Sequence, residues 1–234
     1  MKCAAIGALM VAIVAVTSCD RKEVGETRSK NDGPFDPLKL SPTELDELTS
    51  SFYLKTPEDS SFLTSPEYLA VEAAHGPAFK KLLIATIRDA TSITIEEHSD
   101  ESDFPGPEQD WSRRSPRFVY EAVKLTDEQK TSFLRAAEAM DSETVSLTPA
   151  CFSPHHRMEF LQQNGQRSAL SICFQCGKAP WSNVDLFHPE GLFDVLEDVV
   201  NGAGLKTERD WRSLAKQRSE QETGAPTVSD RESE

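Results

Sequence analysis

Apolar residues along this chain first fall into a regular rhythm after residue 40, and the residues at each change of rhythm mark where elements begin. Ser41-Pro42-Thr43-Glu44 sets a capping serine before a proline and a glutamate able to reach back. Ser65-Pro66-Glu67 repeats the first part, so each stretch predicts a helix start. Gly76 is the expected stop for the second of these helices. "AFKKLLIATI" then brings Phe79, Leu82, Leu83 and Ile87 to helical spacing. At "TSITIEEH" the period drops to two, with Ile93 and Ile95 alternating with polar neighbours, which predicts a strand. "RFVYEAVKL" predicts another, with Phe118, Tyr120 and Ala122 on one face. Thr126-Asp127-Glu128-Gln129 is a capping box opening a helix to about Met140, its inward side carrying Phe133, Leu134, Ala137 and Met140. Two further strands flank "QQNGQR". "PEGLFDVLEDVV" predicts a closing helix ended by Asn201-Gly202, and "TERDWRSLAKQ" a short amphipathic one.

Strands without a regular helix between each pair do not build a parallel, doubly wound sheet. The pattern predicts an α+β fold, a small antiparallel sheet with helices packed on one side. Asn164-Gly165 predicts a hairpin whose strands run from His156 to Gln162 and from Arg167 to Phe174. A two-residue turn sets His156 opposite Cys173. A three-residue loop, with Phe160 opposite Leu170, Met158 opposite Ile172 and His156 opposite Phe174, makes one face consistently apolar and is preferred. It leaves His155 and Cys173 together on the other face.

Composition adds limits. The 234 residues, 38% of them hydrophobic, are enough for one sizeable core. A formal charge of -14 repels nucleic acid and anionic lipid, so no nucleic-acid partner is expected. The acidic connection "EEHSDESDFPGPEQDW" from Glu96 to Trp111 lacks the spaced oxygen donors of a calcium hand and is read as a solvated loop. His75, His98 and His188 have no partner set by local spacing and are read as surface or capping residues. Trp111, Trp181 and Trp211 are too scattered for a binding platform and read as core anchors.

The chain opens with Lys2 and an unbroken small-and-apolar run from Cys3 to Val16, shorter than the ~20 residues a spanning helix needs. Val16-Thr17-Ser18-Cys19 then resembles a bacterial lipobox. The resemblance implies a signal peptide over residues 1–18, cut before Cys19, whose sulfur carries diacylglycerol and whose new amino group is acylated with a fatty acid of the palmitate type. An ordinary export signal, with Cys19 incidental, is the plainer reading of the same run. Two or three acyl chains hold a protein to a bilayer almost permanently, each buried methylene contributing ~0.8 kcal/mol. The expected organisation is a lipidated tether over 19–40, one α+β domain over 41–217, and a disordered polar tail over 218–234, displayed outside the cytoplasm of a bacterium.

Cys151, Cys173 and Cys176 fall within 26 residues of one another together with His155 and His156. Four chemistries fit them. A structural zinc would use Cys151, Cys173, Cys176 and one of His155 or His156, with His155 the better candidate, three thiolates and an imidazole suiting tetrahedral zinc. A disulfide would join Cys151 to Cys173 or Cys176 and leave one thiol free. Thiol–disulfide exchange would use Cys173-x-x-Cys176, though Gly177 and Pro180 argue against the helix that lowers such a thiol's pKa. A cysteine hydrolase would need a base and an orienting carboxylate or amide within reach. From Phe79 to Val200 the chain also resembles an uncharacterised bacterial family with a Cys-x-x-Pro segment, a strand hairpin and a Cys-Phe-x-Cys close. That resemblance carries no activity. The reading that follows is an envelope lipoprotein with a non-enzymatic binding or scaffolding domain and a Cys/His-stabilised hairpin. Its partners are the bilayer through Cys19 and an envelope protein or ligand. A zinc- or thiol-dependent envelope enzyme is the alternative.

Overall fold

A computed structural model describes residues 36–55, 60–104, 117–145 and 151–223. The expected leader, Cys19 with its lipobox-like stretch, the expected tether through residue 35, Trp111 and residues 224–234 lie outside the described residues. Helix α1 (Pro42–Lys55) and helix α2 (Pro66–Asp89) precede strand β1 (Ala90–His98). Strand β2 (Val119–Lys124), helix α3 (Asp127–Ala139), strands β3 (His156–Gln162) and β4 (Arg167–Ile172), and helices α4 (Leu192–Gly202) and α5 (Trp211–Thr223) follow.

The expected caps close the helix starts. Ser41 and Glu44 bond each other's backbone amides, Ser65 accepts from the Tyr68 amide, and Thr126 and Gln129 form a reciprocal box. Gly76, expected as a stop, is not one: α2 runs on through Pro77 to Asp89. Pro77 has no N–H for the carbonyl of Ala73, which would normally expose an orphan acceptor. The hydroxyl of Thr144 fills the gap, donating to Ala73 O at 2.9 Å and accepting the Gly76 N–H at 2.8 Å. A Cβ on Gly76 would stand 2.4 Å from Ser142 O. The glycine admits the 142–144 segment against the helix.

The four strands form one open antiparallel sheet in the order β2-β1-β3-β4. Ile93, Ile95, Met158, Phe160, Leu170 and Ile172 point to one face, where they are almost wholly buried. Phe79, Leu83 and Ile87 of α2, Phe133 of α3 and Leu192, Leu196 and Val200 of α4 pack on that face, each such side chain contributing about 1.5–3 kcal/mol. The opposite face carries Glu96, Arg157 and Glu159, tied by surface ion pairs to Arg117 and Arg167. The molecule is therefore α+β, with α2, α3 and α4 on one side of the sheet. The outer edge of β4 is covered by residues 178–182, through the Ser171 N–H to Pro180 O and the Ser182 N–H to Ala169 O.

Two registers depart from expectation. In β2 a bulge opposite Glu97 and His98 leaves Tyr120 without a Cα partner, so Val123, not Ala122, turns toward the core and Ala122 is exposed. In the hairpin the loop has three residues, as preferred, but His156 faces Ile172, Met158 faces Leu170 and Phe160 faces Ser168. The reason lies in Gly165, whose φ of 82° makes it the left-handed residue that ends such a loop, so Gln162 pairs with Gln166. The pairing is displaced by two residues, which keeps every side chain on its predicted face. At the C-terminal end α5 continues to Thr223, past Arg218 where a polar tail was expected. At the N-terminal end a 3-10 turn over Pro37–Lys39 extends ordered structure ahead of residue 41.

Candidate functional site

Because β1 and β3 are antiparallel, the end of "EEHS" meets the start of "HHRM". Glu97 pairs with His156, and the His98 N–H bonds His155 O at 2.9 Å. Strand alternation carries Glu97 onto the face of Ile93 and Ile95, where it is fully buried, and His156 lies beside it at 1% exposure. Both grip the backbone of one residue, Lys206. The Lys206 N–H donates to Glu97 Oε1 at 2.7 Å, and His156 Nε2 lies 2.9 Å from Lys206 O. That bond fixes the Nε2–H tautomer of the ring, and burial pushes its pKa down to about 4. The other Glu97 oxygen is 3.1 Å from Arg209 Nη1, an ion pair without directed hydrogen-bond geometry, while Arg209 Nη2 reaches to 3.7 Å from Glu121 Oε2. Arg209 thus bridges two carboxylates that the sheet sets opposite one another.

Next to this, His155 Nε2 lies 3.0 and 3.2 Å from the two oxygens of Asp103, a carboxylate only 3% exposed. Asp103 also accepts the Asp100 N–H, which closes the 3-10 turn over Glu101–Asp103. The indole of Trp211, at the start of α5, stacks on the His155 ring at 4.5 Å and 5°, meets His156 edge-on at 5.5 Å, and stacks on Tyr120 at 6.1 Å. Burial, helped by the Asp103 charge, pushes the Tyr120 hydroxyl up to about 12. His98 is buried against Ser99 O, and burial lowers its pKa.

The acidic connection is therefore not wholly solvated, since Glu97 and Asp103 are interior and bonded. His75, expected at the surface, is also buried; it accepts the Phe187 N–H at Nδ1 and lies 2.7 Å from Thr49 Oγ1 through Nε2. His188 is half-buried, with Nε2 2.8 Å from Gly177 O. Trp181 is the core anchor that was expected, packed on Phe79 and Phe160.

The thiols sit apart from His155. Cys151 Sγ is 3.2 Å from Cys176 Sγ, and the Cys176 N–H donates to Cys173 Sγ at 3.2 Å. Cys173 and Cys176 stand in a turn after β4 that is closed by the Cys173–Lys178 bridge, with Gly177 at φ 60°. No helix begins there, so the strand-to-helix junction that thiol–disulfide exchange uses is not formed at this turn; contact with Cys176 raises the Cys151 pKa. Of the four candidate metal ligands, three cysteines gather and His155 is engaged by Asp103. Among the described residues no group of three or more His, Cys, Asp or Glu side chains could hold a metal ion. Nor is any described helix long and apolar enough to cross a membrane.

Sequence reasoning passed over Glu97, Asp103, Arg209 and Trp211 as site residues. For Glu97 the signal was present, because the alternation that buries Ile93 and Ile95 carries it inward too. No protein-family model matches the chain, and comparison with curated proteins and with solved structures gives no match. The resemblance over Phe79–Val200 accordingly rests on its Cys-x-x-Pro and Cys-Phe-x-Cys residues alone.

Proposed function

We propose that this is a bacterial envelope lipoprotein, held to the bilayer through lipid on Cys19, whose domain works by binding an envelope protein or ligand. The observation that best supports a binding or scaffolding role is the use of the sheet-end residues. Glu97, Asp103, His155 and His156, all of types that serve in catalysis, are each bonded to another segment of the chain, and Glu97, His156 and His155 contact Lys206, Arg209 and Trp211. Groups tied into backbone fastenings are preorganised for rigidity, which suits a surface that presents a fixed shape. Export and anchoring rest on the lipobox. The test is fractionation of the full chain after growth with labelled palmitate: label and membrane attachment are expected in the parent and lost in Cys19→Ala. Unchanged attachment of the variant, or a parent recovered with its leader and no label, would refute the reading.

A structural zinc on the thiols is the second reading, favoured by the meeting of three cysteines at the open end of the hairpin. Metal analysis of the purified protein decides it: one zinc per chain, with unfolding on chelation, supports the site, and its absence removes it.

A further inference from the structure

We infer that Cys151 and Cys176 are joined by a disulfide that closes the open end of the β3–β4 hairpin, while Cys173 stays a shielded thiol. Three cysteines allow three pairings, and the packing distinguishes them. Cys151 and Cys176, 25 positions apart in the chain, bring their sulfurs to 3.2 Å, inside the van der Waals contact of two sulfur atoms. Cys151 is exposed and Cys176 half-buried, so an oxidant can reach the pair. Cys173 is 1% exposed, and its sulfur receives the Cys176 amide proton, so the backbone of the turn holds it away from solvent.

The topology gives the bond a use. Asn164-Gly165 closes one end of the hairpin, and Cys151 and Cys176 lie just beyond the other end, before β3 and after β4. A bond there fixes residues 151–155 and with them the approach of His155 to Asp103 and Trp211. His188 braces the same turn from outside through Gly177 O. Contact with Cys176 raises the Cys151 pKa, which makes that thiol a poorer leaving group and favours a lasting bond over rapid exchange.

The chemistry needs a disulfide donor, either a small molecule or a thiol oxidoreductase of the envelope. A thiolate of the pair attacks one donor sulfur and forms a mixed disulfide, releasing one donor thiolate. The second cysteine thiolate displaces the other. Two electrons pass to the donor, and the two protons lost from Cys151 and Cys176 end on the two released thiols.

In the cell the bond rests on the export reading, so the test has two arms. In the first, the full chain is alkylated in intact cells and mapped without reduction; a link between the Cys151 peptide and the peptide holding Cys173 and Cys176 is expected. In the second, purified reduced protein is incubated with oxidised glutathione. Because Cys173 and Cys176 share a tryptic peptide, assignment uses variants: Cys173→Ser should keep the link in both arms and Cys176→Ser should lose it. A link that survives Cys176→Ser, no link in the purified protein, or three reduced thiols around one bound zinc overturns the inference. Formation in the purified protein with only free thiols in the cell supports the pairing and refutes export instead.

Discussion

Replacing Glu97 by glutamine is the most direct probe of the fastening at the sheet end. The change keeps shape and removes charge. Glutamine can still accept the Lys206 N–H through its oxygen, but its NH2 group then faces Arg209, where a carboxylate oxygen stood 3.1 Å away. Two unit charges ~4 Å apart interact by about 4 kcal/mol at an effective dielectric of 20, and breaking a buried pair from one side costs ~3–5 kcal/mol. The Arg209 side chain retains 25% exposure, so water recovers part of this, and we take the low end, about 3 kcal/mol. For a domain of this size that corresponds to a fall of roughly 6–12 °C in Tm. Glu121 is the internal control: its side chain is 48% exposed and 3.7 Å from Arg209, so Glu121→Gln should cost about 0–1 kcal/mol. Urea unfolding gives both values, and amide exchange should show residues 205–223 opening earlier in Glu97→Gln. A Glu97→Gln protein within 1 kcal/mol of its parent, or with unchanged exchange over those residues, would show that Glu97 does not hold the segment.

Gly76→Ala should destabilise by about 2 kcal/mol or more on urea unfolding, because its Cβ would meet a backbone oxygen at 2.4 Å; a neutral substitution would mean that residues 142–144 do not press on α2. Acid should weaken the fold in the window from about pH 6.5 to 4. His75 and His156 are both held near 4 by burial, whereas the unfolded chain binds their protons from its ordinary value of ~6.5 downward. Stability is therefore complete above ~6.5, and each ring removes about 1.4 kcal/mol per pH unit as the pH falls toward 4. Equal urea midpoints at pH 7 and pH 5 would contradict this, and His75→Gln should reduce the slope.

Local chemistry made much of the fold readable. The boxes at Ser41–Glu44 and Thr126–Gln129 involve residues three apart, so the signal and its structural result occupy the same turn. The faces of the hairpin were readable because apolar residues alternate with period two. Its pairing was missed by two residues because that offset leaves the apolar pattern unchanged, and only the left-handed Gly165 distinguishes the choices. Gly76 read as a stop because a glycine before proline ends many helices. Its actual neighbour, Thr144, is 68 positions away.

The sequence by itself determined the element types, the α+β class, the inward faces of the helices, of β1 and of the hairpin strands, though not that of β2, and the closeness in chain of three cysteines to two histidines. Only the tertiary structure decided which of these groups touch. It sent His155 to Asp103 and Trp211 rather than to the thiols, set Cys151 against Cys176, and turned Glu97 into the holder of a peptide 109 positions away. The physical reason is one of range. Caps and alternation are governed by backbone geometry over a few residues, whereas a buried polar side chain takes whatever partner the packing of distant segments brings to it.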